Sequence, residues 1–269
     1  MGFPGWLSHQ QYLASYRADG DRMALLLGEA APDAPVPTCP GWTALDLLRH
    51  VCDVYSHKVA VLRLGRSLHP GEWTLADAMD QATALDWHDS VRAELAALLA
   101  ELGPDSACWT WMEGVGEATT GAWARRMAHE ALVHRVDAES VLGRPLAPAA
   151  EGLAVDGINE ILTWMAGDPD VLTSDGADDG TAGSVLVDFG GDGDGDGDGG
   201  GWLVDLPDGA QTVTLVESGS SADARLSGDA FALDLHLWGR PAELTGVTEE
   251  SGNEAVLTRL RARLKIAAQ

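Results

Sequence analysis

The hydrophobic period of this chain changes once, near residue 168, and the change demands two kinds of packing. Before it, apolar residues return at helical spacing. Segment 8–29 places Tyr12, Tyr16, Met23, Leu26 and Leu27 on one stripe. A breaker-rich stretch follows over 31–41. Thr43 with Asp46 three residues on resembles a capping box, and opens a stripe of Leu45, Leu48, Cys52, Tyr55, Val59 and Leu62 that stops at Gly65. Thr74 and Asp77 suggest another cap, opening helical sequence to Leu102 with a break near Trp87. A fourth helix is expected from about Gly121 to Leu142, stopped by Gly143 and Pro145, and a fifth over 148–166.

Beyond residue 168 the segments 184–189, 202–206, 212–217 and 224–227 are short, β-branched and bounded by Gly, Pro or Asp, as strands are. A helix is expected from Phe231 to Trp238. A last amphipathic helix over 252–267 carries Val256, Leu260 and Leu264. The chain therefore reads as an α-helical bundle over 1–167 and a small α+β domain over 168–269. The Asp-Gly tract at 190–201 separates two strand candidates. Asp192, Asp194 and Asp196 imitate a calcium loop, but Leu203 stands where a bidentate Glu is needed, so a flexible hairpin loop is expected.

Composition removes several classes of partner. The net charge is −25, with eleven basic against 19 acidic side chains in 1–150 and six against 23 beyond, and only two basic residues are lysines. Nucleic acid and anionic membranes would repel such a chain. No apolar run is long enough to span a bilayer, and the N-terminus lacks the basic and apolar regions of a secretory signal. Cys39, Cys52 and Cys108 are too few for a disulfide framework, so a cytoplasmic protein, monomeric or a small homo-oligomer, is expected. Cys39 and Cys52 read as small buried hydrophobes.

One polar pattern stands out among the helices. Glu130 and His134 are four residues apart, on one helical face with Met127 and Ala131, and His50 lies beside the stripe of the second helix. Two His and one carboxylate can hold a divalent metal and leave a coordination position open. Spacing alone equally allows a hydrogen-bonded His–Glu pair in the core, and it does not form the zincin motif, since Val133 stands where that motif needs His. His57 lies two turns beyond His50 and is a reserve ligand. His9, His69 and His88 are expected at the surface, and His236 in the core or at an interface of the second domain.

Thr38-Cys-Pro-Gly-Trp-Thr-Ala-Leu-Asp-Leu-Leu-Arg-His50 and Arg126-Met-Ala-His-Glu-Ala-Leu-Val-His-Arg-Val-Asp-Ala-Glu139 together resemble the mycothiol-dependent maleylpyruvate isomerase family of the DinB-like metalloenzyme superfamily. Leu235-His-Leu-Trp-Gly-Arg240 is similar to the family's C-terminal end, and the Asp-Gly tract departs from it. The resemblance implies a DinB-like four-helix bundle followed by a sterol-carrier-protein-like domain. It also implies a divalent metal, usually zinc, on His50, Glu130 and His134, with water at the fourth position giving way to a low-molecular-weight thiol such as mycothiol. The expected activity is that of a thiol-dependent transferase or cis–trans isomerase on a small electrophile. Coordination would convert the thiol to a nucleophilic thiolate. Asp137 could orient His134, or pair with Arg135 or Arg144 at the surface. Arg240 could grip a substrate carboxylate, or satisfy local acidic residues. A hydrolase activating water at the same site, and a non-catalytic small-ligand-binding module, are the alternatives.

Overall fold

A computed structural model describes residues 7–111, 118–150, 152–174, 176, 179–190, 200–207, 210–241, 243 and 248–268. The chain divides into two compact units, Leu7–Ala147 and the part from Pro148 onward.

The first unit is a four-helix bundle of α1 (His9–Glu29), α2 (Ala44–Leu64), α3 (Gln81–Leu102) and α4 (Thr120–Val141). Each N-terminus is closed by a side chain that accepts a bond from an otherwise unpaired backbone N–H. Ser8 with Gln11 and Thr43 with Asp46 form full capping boxes, and Asp80 and Thr119 cap α3 and α4. Gly65 ends α2 with φ of 67°, a left-handed turn that Gly adopts without a Cβ penalty. α1 packs chiefly on α4, and α2 on α3. The expected stripes of α1 and α2 are buried, except that Leu45 gives way to Leu47. α4 departs from the amphipathic pattern, because every residue from 122 to 140 is buried.

The third helix differs from its sequence reading. It begins at Gln81 rather than near Thr74, and it runs unbroken through Trp87. Asp80 supplies the cap, while the Gln81 amide ties the new helix to Leu27 O and Ala30 O. His88 is consequently not a surface residue. It shares the stripe Ala84, Val91, Leu95 and Leu99 and is 0% exposed. Burial, followed by Arg92, pulls its pKa down to about 4, and its Nε2 has no hydrogen-bond partner.

This burial gives a stability prediction with a definite sign. The unfolded chain takes up a proton at His88 near pH 6.5, whereas the folded chain waits until about 4. Between those values the unfolded state binds more protons, so stability falls as pH falls. The full window corresponds to about 3 kcal/mol. Urea denaturation of wild type and His88→Leu at several pH values from 4 to 7.5 is expected to show a shallower pH dependence in the variant. Equal slopes would mean that His88 is not held neutral.

The second unit contains α5 (Leu153–Glu160), a π-helical turn (Ile161–Met165), the short α6 (Pro169–Leu172), α7 (Ala230–Leu237), α8 (Glu254–Ala267) and five strands. The strands are β1 (Gly183–Asp188), β2 (Gly200–Leu206), β3 (Thr212–Glu217), β4 (Ala224–Gly228) and β5 (Thr248–Gly252), in the order β3-β2-β1-β4-β5. β1 and β4 are parallel and the other neighbours antiparallel. The helical segment 153–165 packs within this unit, α5 against α7 and the π-helical turn against α8. The change of period at 168 thus marks where helix gives way to strand, while the compact units part at 147/148. A helix's period identifies its buried face, not the element that covers it.

β5 has no counterpart in the sequence reading. It is an exposed edge with no apolar alternation, Thr-Glu-Glu-Ser-Gly, and its two glutamates discourage pairing with another chain. The Asp-Gly tract joins the antiparallel neighbours β1 and β2, as a hairpin connection would, and Asp192, Asp194 and Asp196 lie outside the described residues. Among the described residues no helix is long and apolar enough to cross a membrane.

Candidate metal centre

α2 and α4 bring the three sequence candidates together. His50 stands on the second turn of α2, and Glu130 and His134 one turn apart on α4. His50 Nε2 lies 3.4 Å from Glu130 Oε1 and His134 Nε2 lies 3.2 Å from the same oxygen. All three ligand atoms fall within 4.8 Å of one another, the one such His/Cys/Asp/Glu cluster among the described residues. The Glu130 and His134 side chains are 9% and 10% exposed and that of His50 is 37%, so the cluster opens on the His50 side.

The donor set fits a divalent ion. Charge-assisted hydrogen bonds are commonly about 2.7–2.9 Å long. A tetrahedral ion with bonds of about 2.0–2.1 Å spaces its ligands about 3.3 Å apart. The two measured edges match the second distance better than the first. The second carboxylate also suits a metal site, for His134 Nδ1 donates to Asp137 Oδ2 at 2.8 Å, which orients the ring with Nε2 directed at Glu130. A simple buried His–Glu pair would not require the second carboxylate.

The electrostatics follow from the neighbours. Burial alone would raise the Glu130 carboxyl, but Arg126 above all, then His134 and the hydrogen bonds from both histidines, hold it well below the usual carboxylate range. Arg126 sits one turn before Glu130 and bonds its other oxygen. Burial works to lower His134, yet Glu130 and Asp137 raise it to about 9. Trp42 walls the open side, its ring 4.9 Å from the His50 ring and stacked at 6.4 Å on that of His134.

Asp137 is fully buried rather than at the surface. Its two alternative arginines are engaged elsewhere, Arg135 with Asp19 and Glu139, and Arg144 with Glu29. Cys39 is a second departure from expectation. It is only partly buried, and its thiol reaches Asp137 Oδ2 at 3.4 Å. Cys52 does behave as a buried hydrophobe, bonded to Ala84 O and pushed up to about 12 by burial. His57 stays outside the cluster, bonded to Lys58 and edge-on to Trp73. Arg240 belongs to the other unit, where it is buried and gives an Nη1 bond to Trp238 O at 2.7 Å. Arg126 and Lys58 were not among the sequence candidates. The i,i+4 spacing of Arg126 to Glu130, and a lone lysine within an apolar stripe, were the available signs.

Comparison with known proteins agrees with this geometry. Residues 13–139 match the mycothiol maleylpyruvate isomerase N-terminal domain family. Two solved structures share the fold over nearly the whole chain, a mycothiol-dependent maleylpyruvate isomerase and a histidine-to-alanine mutant of it. Both are 14% identical, with TM-scores of 0.58 and 0.59, covering 92% of this chain and 95% of their own. No curated protein matches this sequence. The bundle thus carries a two-histidine, one-glutamate cluster that can hold a metal, and its residues 13–139 belong to the mycothiol maleylpyruvate isomerase N-terminal domain family.

Proposed function

We propose that this protein is a zinc-dependent enzyme that uses a low-molecular-weight thiol of the mycothiol type as transferase or isomerase. Its substrate is a small electrophile carrying a carboxylate, and its compartment is the cytoplasm, where the three free thiols would stay reduced. The carrying observation is the cluster of His50, Glu130 and His134, with His134 oriented by Asp137 and one side open. The resemblance of the two motifs and the shared fold support the choice of thiol chemistry over plain hydrolysis.

A divalent metal held there supplies Lewis acidity that lowers a thiol's pKa, so that thiolate forms at neutral pH. The chain's own residues do the rest. Asp137 accepts from His134 Nδ1 and orients the ring with Nε2 toward the centre, and Arg126 holds Glu130 ionised. The indole of Trp42 shields the open side from water and offers an apolar surface to the incoming molecules.

The test is elemental mass spectrometry on protein purified without added metal or a histidine tag. About one equivalent of zinc is expected in wild type, and its loss in His134→Ala. Wild type that stays metal-free and fails to take up zinc, nickel or iron would overturn the proposal. With metal present, turnover of an activated electrophile is expected only when a thiol is added. Turnover without thiol would mark a hydrolase.

A further inference from the structure

Lys58 takes a positive charge into the bundle, and among the described residues no carboxylate forms an ion pair with it. It is 9% exposed and is one of two lysines in the chain. Its Nζ lies 4.4 Å from the ring centroid of Trp123 and 4.9 Å from that of Trp111, and donates to His57 Nδ1 at 3.1 Å. No carboxylate comes within the 4.0 Å of an ion pair among the described residues. Two aromatic faces attract the ammonium. Removing an ammonium from water opposes its burial. A site that needed only apolar filling would be better served by Met or Leu. Burial pulls the lysine down to about 8, which still leaves it charged at neutral pH. His57 is pulled down to about 4 by burial and then by Lys58, so it remains a neutral acceptor. One ammonium N–H goes to His57, and two remain.

The position of Lys58 relates it to the metal centre. It follows His50 by eight residues on α2, about 12 Å along the axis. Helical side chains lean toward the N-terminus, which carries Nζ back toward His50. Glu130 and Arg126 both act electrostatically on Lys58, so α4 brings the two regions into range of each other. Trp123 stands on α4 seven residues before Glu130, on a similar face of the helix.

We propose that Lys58 seats the carboxylate of the molecule handled at the metal centre, at about 5–10 Å from the His50 and Glu130 donor atoms. This deepens the enzyme reading above and rests on it. The ligand class is a short aliphatic acid whose far end is the electrophile, with Trp111 and Trp123 against its carbon skeleton. In a chain of net charge −25, a buried cation with no ion-pair partner among the described residues favours an anion beside it.

The experiment is titration calorimetry of the full-length protein with succinate, and with succinamide as its uncharged isostere, in metal-loaded and metal-stripped forms. Wild type is expected to bind succinate and not succinamide. Lys58→Met and Lys58→Gln should weaken succinate binding about tenfold or more, and Lys58→Arg should restore most of it. Metal content should be unchanged in all three variants. Deleting an unpaired buried charge should preserve or raise the melting temperature, and the Gln variant serves if Met fails to fold. Succinate binding that ignores Lys58, or no succinate binding by wild type, overturns the proposal. Lys58-dependent binding in a protein that takes no metal would keep the carboxylate seat and overturn the enzyme reading.

Discussion

Glu139→Ala is expected to cost the bundle about 3–5 kcal/mol, the range for removing one partner of a buried ion pair. Glu139 is 0% exposed, and Arg135, also 0% exposed, donates Nη1 to it at 2.8 Å. Arg22 of α1 gives a second charged bond at 2.5 Å, and the Ala147 N–H approaches at 3.2 Å. Arg135 reaches back to Asp19 at 3.0 Å. One carboxylate therefore ties α1, α4 and the end of the bundle unit together, and its loss leaves a guanidinium in the core short of its closest counter-charge. Glu139→Gln keeps the volume and an acceptor, and is expected to cost less. Urea denaturation of the three proteins at pH 7 measures both. A loss below about 1 kcal/mol for the alanine variant would show that Asp19 alone suffices for Arg135.

Glu130→Gln is expected to lower metal affinity more than about 100-fold, beyond the 10–100-fold typical of a residue that only orients a ligand. Gln has nearly the shape of Glu but no charge, so the two histidines lose the anionic donor between them. Asp137→Asn provides the comparison. Asn can still accept from His134 Nδ1, but without the carboxylate's charge, and a drop of about 10–100-fold is expected. Competition with a chromophoric zinc chelator gives both constants. An equal loss in the two variants would place Asp137 on the metal itself. No loss in Glu130→Gln would leave the two histidines as the only protein ligands.

The helices of the bundle were legible because their apolar stripes and caps agree. Ser8, Thr43 and the 3.6-residue period point to the same boundaries that the backbone adopts. α3 was misplaced because Thr74 and Asp77 present the same cap residues as Asp80, and local pattern cannot tell which carboxylate meets a free N–H. β5 was invisible because an exposed edge strand has no apolar alternation to read. Within the site, His50, Glu130 and His134 could be named from spacing and motif together. Arg126 and Lys58 could not, since a cation on a helix is ordinarily solvated and only packing shows that these two are buried.

The sequence by itself determined the helical bundle, the later strands, the acidic surface and the identity of the three metal-ligand candidates, because these rest on periodicity and residue chemistry along one element at a time. Tertiary structure decided what depends on two elements at once. It set the distance from His50 on α2 to Glu130 on α4, placed Asp137 in the interior beside His134, and brought Cys39 to that same carboxylate. It placed His88 inside, and it set Lys58 against two aromatic rings with no ion-pair carboxylate among the described residues. Which face of α4 meets which helix is a matter of packing, and a helix buried all along its length leaves no amphipathic record of the answer.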